Sequence, residues 1–205
     1  MKSYPSIAKE PRYGESVYAF GKQDGSQVRV EWNRKNSFHK WGRRNGLLDD
    51  SNPILKRFPD LFLGKYGVGL EEALRKARFE SVTCFAEFWG PSSFAGTHVE
   101  SEEQTCTLFD VDVYKKGLLE PSEFLKLFGH LPVQELLYQG VYNREIEQQI
   151  QQGTLPGIPL EGVVCKGARD RKNGLPLMFK VKQTAWLTRL KEHCKGDERL
   201  FQLLA

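Results

Sequence analysis

Six short segments with strand-like character place the strongest constraint on the fold of this chain. Most are rich in Val, Phe and Cys and are bounded by Gly, Pro or Asp, which is typical of strands in a folded domain. The segments are Ser16 to Phe20, Gln27 to Asn33, Ser81 to Trp89, Cys106 to Tyr114, Gly162 to Lys166 and Pro176 to Lys182.

Segments with helical features lie between and after these strands. They show helical spacing of apolar residues, a Pro-Ser-Glu start or a glycine at the end. These segments are GLEEALRKARF (69–79), PSEFLKLFGH (121–130), NREIEQQIQQG (143–153) and AWLTRLKEHCKG (185–196). The order of elements predicts an α+β fold with largely antiparallel sheets and packed helices. Since no repeat or low-complexity linker interrupts the sequence, we expect a single domain over residues 1–205.

Residues 18–32, YAFGKQDGSQVRVEW, contain two alternating apolar runs joined at Asp24 and Gly25. An Asp-Gly pair tolerates the positive φ angles of tight turns, so the pattern predicts a β-hairpin. Lys22 ends the first run, and a lysine beside a turn is ordinarily a solvated surface charge. The hairpin pattern alone therefore assigns no function to Lys22.

Composition narrows the class of protein and its compartment. Of the 205 residues, 40% are hydrophobic, which is enough for a folded core. No apolar run approaches the roughly 20 residues that span a bilayer, and the first residues lack the apolar centre of a signal peptide. We therefore expect a cytoplasmic protein with no membrane partner. The four cysteines form no Cys-x-x-Cys pair, which predicts reduced, mostly buried thiols rather than a zinc site or disulfides.

The positive charge is concentrated in one segment. The net charge is only +4, but residues 29–44, RVEWNRKNSFHKWGRR, hold six Lys or Arg against one acid. Trp32, Phe38 and Trp41 are interleaved with these charges. Such a mixture is typical of nucleic-acid binding, where cations meet phosphates and flat rings meet bases or sugars. A solvated strand face is the alternative, and the segment alone does not decide between them.

Five motifs occur in a fixed order along most of the chain. They are Lys22-Gln23-Asp24-Gly25, Phe85-Ala86-Glu87-Phe88-Trp89-Gly90, Leu108-Phe109-Asp110-Val111, Glu161-Gly162-Val163-Val164-Cys165-Lys166 and Lys180-Val181-Lys182. This series resembles the motifs of the covalent nucleotidyltransferases, the superfamily of ATP-dependent DNA and RNA ligases and GTP-dependent mRNA capping enzymes. The resemblance implies the nucleotidyltransferase fold of ligase adenylation domains, which is similar to the ATP-grasp fold, with a nucleotide cleft between its sheets.

The resemblance implies that Lys22 attacks the α-phosphate of ATP and carries AMP while pyrophosphate leaves. The amine must be neutral to attack, yet a lysine with a pKa near 10.4 is only about 0.1% neutral at pH 7.4. One cation at roughly 5 Å in an effective dielectric near 20 costs the ammonium about 3 kcal/mol, or a little over two pKa units. Lys180, Lys182 and a metal ion, Mg²⁺ or Mn²⁺, are thus expected to lower the pKa of Lys22 and to neutralise the triphosphate.

The remaining roles are also implied by the resemblance. Glu161 matches the metal-binding carboxylate, Glu87 a contact to the ribose or the metal shell, and Phe109 the ring that stacks on the purine. Lys166 matches a phosphate or base contact. In the nucleotide-binding pair Asp24-Gly25, the carboxylate is expected to assist the metal or orient the nucleophile. Each residue keeps a structural alternative: Glu161 as an acid that starts a strand, Phe109 as core, and the strand lysines as a solvated face.

Two further features bear on the nucleic acid. DNA ligases usually carry an arginine two residues after the motif glycine, whereas this sequence has Gln27, and an amide there resembles the double-strand-sealing RNA ligases of phage type. The segment GRRNG (42–46) resembles a basic segment that both types use near the nucleic-acid end. Arg44, with Arg43 second, is the expected contact.

Only 23 residues follow Lys182, far short of the OB-fold domain that capping enzymes and most DNA ligases append. We therefore expect an ATP-dependent RNA ligase without a C-terminal OB domain that acts on a nicked duplex or hybrid, in its own cytoplasm or, if phage-encoded, in the host's. A DNA ligase of the same chemistry and a non-catalytic nucleic-acid-binding module of the same fold remain alternatives. The oligomeric state stays open.

Overall fold

The computed structural model describes residues 1–49, 55–91, 99–169, 174 and 176–205. Contacts within this part of the chain divide it into two compact units, each with its own sheet. The first unit comprises Met1–Pro5, Gly25–Trp89 and Glu103–Gln134, and the second comprises Ser6–Asp24, Gly90–Glu102 and Glu135–Ala205.

The elements are as follows. The strands are β1 (Ser16–Lys22), β2 (Ser26–Asn33), β3 (Ser37–Arg43), β4 (Gly46–Leu47), β5 (Ser81–Trp89), β6 (Thr105–Val113), β7 (Gly117–Leu118), β8 (Leu136–Val141), β9 (Gly162–Arg169) and β10 (Pro176–Lys182). The helices are α1 (Phe58–Lys76), α2 (Pro121–Phe128), α3 (Arg144–Gln152), α4 (Thr184–His193) and α5 (Glu198–Leu204).

The first unit is built on six antiparallel strands in the order β4-β3-β2-β5-β6-β7. One face of this sheet forms a core with α1 and α2, because the apolar residues of α1 recur every four positions and so form one stripe along the helix. The stripe consists of Phe58, Phe62, Tyr66, Leu70 and Leu74. Side chains alternate along a strand, so the neighbours of the buried Ala86 and Phe88 on β5, including Glu87, lie on the other face.

The second unit is built on four antiparallel strands in the order β10-β9-β1-β8. One face of this sheet is apolar and packs against Ile150 of α3. A smaller cluster joins Trp186 and Leu190 of α4 to Phe201 and Leu204 of α5. The opposite face of the sheet carries the alternate residues, which include Lys22, Lys166, Lys180 and Lys182.

The α+β class and the antiparallel sheets predicted from the sequence are confirmed, and all six predicted strands are present. Helix α1 begins at Phe58, well before the predicted segment. Gly64, Gly67 and Gly69 weaken the local helical signal, and the packing of the apolar stripe overrides it. Strands β3 and β8 and helix α5 were not predicted.

The predicted β-hairpin at Asp24-Gly25 is wrong. Strand β1 pairs with β8 and β9, whereas β2 pairs with β3 and β5, so the two strands belong to different sheets. A Cβ atom on Gly25 would lie 2.5 Å from the carbonyl oxygen of Phe88 and 2.8 Å from Cβ of Trp89. Gly25 is therefore required for close backbone approach to β5, and the pair connects two sheets.

The four cysteines are buried and free, as predicted. Among the described helices, none combines the length and the apolar character that crossing a membrane requires.

Candidate active site

Three strand ends of the second unit bring the predicted catalytic residues together. Lys22 ends β1 and Lys182 ends β10, and both pair in register with Gly162 at the start of β9. Because β9 lies between the other two strands, Glu161 stands immediately before Gly162 with one lysine on either side.

Glycine at position 162 fixes the place of Glu161. Gly162 has φ +129°, and a Cβ atom there would collide with the carbonyl oxygen of Val181. The carbonyl of Glu161 in turn accepts a hydrogen bond from the backbone N–H of Gln183 at 3.2 Å. These contacts fix the start of β9 against the end of β10.

The carboxylate of Glu161 is shared by two ammonium groups. Lys22 Nζ lies 2.9 Å from Oε2, and Lys182 Nζ contacts Oε1. The side chains of Glu161 and Lys182 are 5% and 9% exposed, whereas that of Lys22 is 22% exposed. A buried carboxylate is stabilised by such paired charges. Lys22 is therefore the most accessible of the three side chains.

Trp186 connects Asp24 to this group. Its buried indole Nε1 donates to Asp24 Oδ2 at 3.4 Å, and its ring centroid lies 3.9 Å from Lys182 Nζ. Asp24 itself is buried. The face of an indole ring attracts a cation, so Trp186 and Glu161 both stabilise Lys182. In the sequence Trp186 is only part of a predicted helix, and its position four residues after Lys182 is the one local signal.

Burial and mutual repulsion lower the pKa values of two lysines. Burial, followed by the charges of Lys182, Lys9 and Lys22, lowers the pKa of Lys180 to about 8, and Glu161 opposes this effect. Lys180 Nζ donates to the carbonyl oxygen of Ala205 at 2.7 Å. Burial also lowers the pKa of Lys182, against the attraction of Glu161. Cations are therefore crowded on this face.

Lys166 lies on the same face of the sheet. Tyr18, Lys166 and Met178 pair across β1, β9 and β10, two positions from the row formed by Phe20, Val164 and Lys180. Residues two apart on a strand share a face. Lys166 is buried, and its Nζ lies 5.0 Å from the centroid of the Phe20 ring.

Glu87 and Phe109 belong to the first unit. Glu87 pairs in register with Gln27 and with Thr107, and the buried Nε2 of Gln27 has no hydrogen-bond partner within the described chain. The ring of Phe109 meets Tyr4 edge to face, with centroids 5.1 Å apart. Tyr4 was not singled out from the sequence. Its hydroxyl donates to Asp110 Oδ2 at 2.8 Å.

In the basic segment at 29–44 the side chains of Arg34, Arg43 and Arg44 are exposed, whereas Arg29 is buried. Trp32 is fully buried, and Phe38 and Trp41 pack against the same core, so the three rings contribute to the core of the first unit. They alternate onto the core face of the sheet, where α1 covers them. Arg43 lies 3.5 Å from Asp49.

The donor set near Lys22 suits a metal that arrives with a nucleotide. The described residues include no cluster of three or more His, Cys, Asp or Glu side chains able to hold a metal ion. Mg²⁺ in nucleotide sites takes most of its ligands from phosphates and water and needs only one or two protein carboxylates. Glu161 provides one such carboxylate beside Lys22, and Asp24 lies close by.

Neither the known family models nor the curated proteins match the sequence. Solved structures do match. Naegleria gruberi RNA ligase with pyrophosphate superposes with a TM-score of 0.62 at 20% identity, covering 88% of this chain and 53% of its own. A variant of the same ligase with ATP and manganese gives 0.59 at 19% identity, over 86% and 52%. An Aquifex aeolicus protein described as a proposed ATP-dependent DNA ligase gives 0.64 at 18% identity, over 99% and 57%.

The chain thus spans about half the length of the structures that it matches. The matches cover between 86% and 99% of the present sequence. The chain has the covalent nucleotidyltransferase fold found in ATP-dependent RNA and DNA ligases.

Proposed function

We propose that this protein is an ATP-dependent RNA ligase that joins a 5′-phosphate to a 3′-hydroxyl through AMP carried on Lys22. One observation carries the proposal: in a ligase fold, an accessible lysine contacts a buried carboxylate that is also bound by Lys182. A solvated surface lysine has no need of this arrangement.

In the first step the Nζ atom of Lys22 bonds to the α-phosphorus of ATP. The phosphorus–oxygen bond to pyrophosphate breaks, and the amine loses its protons to solvent or to a carboxylate. Lys182 and Lys180 stabilise the negative charge that gathers on the phosphate oxygens. A divalent metal held by Glu161 and the phosphates would supply further charge neutralisation. AMP then passes to a 5′-phosphate, and attack by the 3′-hydroxyl releases it.

The protonation of Lys22 depends on what else binds Glu161. In the structure, Glu161 lies 2.9 Å from Lys22 and so favours its ammonium form. If a metal that accompanies the nucleotide engaged Glu161, Lys22 would face Lys182 without that compensation. A nearby like charge disfavours the ammonium. Nucleotide binding is then the event that makes Lys22 nucleophilic.

The motif resemblance assigns further residues to the nucleotide and the nucleic acid. Phe109 binds the purine, Glu87 the ribose or the metal shell, and Lys166 a phosphate or the base. Asp24 orients the catalytic lysines through Trp186, and the exposed Arg44, with Arg43, contacts the nucleic acid. The motif resemblance supports these roles, which mutation of each residue would test.

DNA joining is the second candidate. Gln27, in place of the arginine usual in DNA ligases, and the RNA ligase of Naegleria favour RNA. The Aquifex protein, which matches 99% of this chain, keeps the DNA alternative open. Sealing can be measured on nicked duplexes whose strands at the break are RNA, mixed or DNA, which distinguishes the RNA ligase from the DNA ligase. Sealing of only the all-DNA nick would contradict the RNA assignment and leave the chemistry intact.

The test of the chemistry is covalent labelling. Protein incubated with Mg²⁺ and α-labelled ATP or GTP is run on a denaturing gel, with Lys22→Ala beside it and Lys191→Ala, an exposed residue of α4, as the matched control. We expect an acid-labile AMP adduct on the wild type and on Lys191→Ala and none on Lys22→Ala. A wild-type protein that never becomes labelled would refute the enzyme assignment and favour a non-catalytic binding module.

A further inference from the structure

A lysine outside the five motifs lies next to the catalytic cations. Residues 7–9 run along the free edge of β10, where Ala8 forms a parallel bridge with Phe179. The backbone N–H of Lys180 donates to the carbonyl of Ala8 at 2.9 Å, which fixes the segment. Since Ala8 shares a face with the buried Phe179, the next residue, Lys9, lies on the opposite face with Lys180.

Lys9 and Lys180 converge on the same group of oxygen atoms. Lys9 Nζ donates to the carbonyl of Gln202 at 2.9 Å, and Lys180 Nζ donates to the carbonyl of Ala205 at 2.7 Å. Gln202 lies in the last turn of α5 and Ala205 follows the helix, where backbone oxygen atoms carry partial negative charge. The two ammonium groups thus already act as a pair that binds oxygen atoms.

The order of strands sets Lys9 on the far side of the lysine cluster from the nucleophile. Lys22 is on β1, Lys182 and Lys180 are on β10, and the Lys9 segment lies beyond β10, about three strand spacings or roughly 14 Å of backbone from β1. In phosphoryl transfer the attacking and leaving atoms are approximately in line. A leaving group that departs from Lys22 in the direction of Lys182 would meet Lys9.

We propose that Lys9, together with Lys180, binds the β- and γ-phosphates of the nucleotide and the pyrophosphate that leaves, in place of the oxygen atoms of α5. This inference rests on the proposed function for its substrate, while its anion site can be tested separately. The repulsion that Lys9 exerts on Lys180 is consistent with it, because a bound polyanion would relieve that repulsion.

The first experiment measures binding of inorganic pyrophosphate by calorimetry at pH 7. The proteins are the wild type, Lys9→Ala, Lys9→Arg and the control Lys191→Ala. Loss of one charge-assisted contact should weaken binding about tenfold in Lys9→Ala. Lys9→Arg should restore most of the affinity, and Lys191→Ala should bind as the wild type does. A wild type that binds no pyrophosphate, or a Lys9→Ala variant that binds it equally well, would overturn the inference.

The second experiment separates steps of the reaction. Lys9→Ala should need about tenfold more ATP for half-maximal labelling of Lys22. When pyrophosphate is added to the labelled protein, the variant should also form ATP from its bound AMP more slowly. Sealing of a strand that already carries AMP on its 5′-phosphate should be unchanged, because no pyrophosphate takes part. If Lys9→Ala is labelled as the wild type is, only the proposed role of Lys9 is refuted, and the proposed ligase function stands. The ligase function can also fail by itself. If the wild type is never labelled but binds pyrophosphate in a way that depends on Lys9, the ligase function is refuted and the anion site remains.

Discussion

Replacing Lys180 by methionine should change the pH dependence of stability in a direction that follows from its pKa. Burial and neighbouring cations lower the pKa of Lys180 to about 8 in the folded protein, whereas an unfolded lysine titrates near 10.4. Between these values the unfolded chain binds more protons than the folded one. The free energy of unfolding of the wild type therefore gains a contribution that rises with pH from about 8 to about 10.4, and Lys180→Met lacks this contribution.

The size of the effect follows from the same difference. A gap of about 2.4 pKa units corresponds to at most about 3.3 kcal/mol at 1.36 kcal/mol per unit. Lys180 is only partly buried, and solvent screening reduces this to about 1–2 kcal/mol. Below pH 8 both states are protonated, so the cost of holding the ammonium in the fold is fully present. In this pH range Lys180→Met has its greatest gain in free energy of unfolding relative to the wild type. Loss of the hydrogen bond to Ala205 reduces this gain.

Urea unfolding at pH 7, 8, 9 and 10, followed by tryptophan fluorescence, measures the difference between the two proteins. The stability of Lys180→Met relative to the wild type should fall by about 1–2 kcal/mol across this range. Lys191→Met, at an exposed position of α4, controls for the general effect of removing a lysine. If the difference between Lys180→Met and the wild type stays constant with pH, the crowding of cations on this face does not govern the pKa of Lys180.

Two more substitutions test the geometry. Gly162→Ala should lower the free energy of unfolding by about 2 kcal/mol or more and abolish labelling of Lys22, because a Cβ atom at φ +129° collides with the Val181 carbonyl. Thermal unfolding and the labelling gel measure both effects, and a fully active Gly162→Ala protein would contradict the fixed placement of Glu161. Tyr4→Phe removes only the hydroxyl bound to Asp110 and should cost about 1 kcal/mol in urea unfolding. Equal stability of the two proteins would show that this hydrogen bond contributes nothing net.

The elements of the fold were predictable where the sequence carries a local signal. Strands β5, β6, β9 and β10 are apolar runs with clear boundaries, and the structure has them within a few residues of the prediction. Strand β8, LLYQGV, was missed because its residues are only partly buried or exposed, which leaves no alternation to detect. The Asp-Gly hairpin failed for a different reason. A turn signal does not specify which strands pair, and pairing is decided by distant segments.

The candidate site was predictable only where a local sequence motif marks its residues. Motif order alone brought Lys22, Glu161 and Lys182 to attention, and the register of three strands then explains why they meet. The contributions of Trp186 and Lys9 to the site were not predicted. Trp186 depends on the end of β10 and Lys9 on the edge of that strand, and no local sequence pattern indicates either contact. The sequence of the basic segment did not show that its three rings pack in the core. Their place there follows from the alternation of side chains along β2 and β3.

The proposed reaction also changes the charge balance that holds the site together. Before reaction, Glu161 is bound by the ammonium groups of Lys22 and Lys182. Attachment of AMP would convert the Lys22 ammonium to the uncharged nitrogen of a phosphoramidate whose phosphate is anionic, so Glu161 would keep one ammonium partner instead of two. The carboxylate oxygen nearest Lys22 would therefore stay available to the metal that is proposed to engage Glu161 when the nucleotide binds. In this proposal a single buried carboxylate pairs with both lysines in the resting protein and with a metal once the nucleotide is bound.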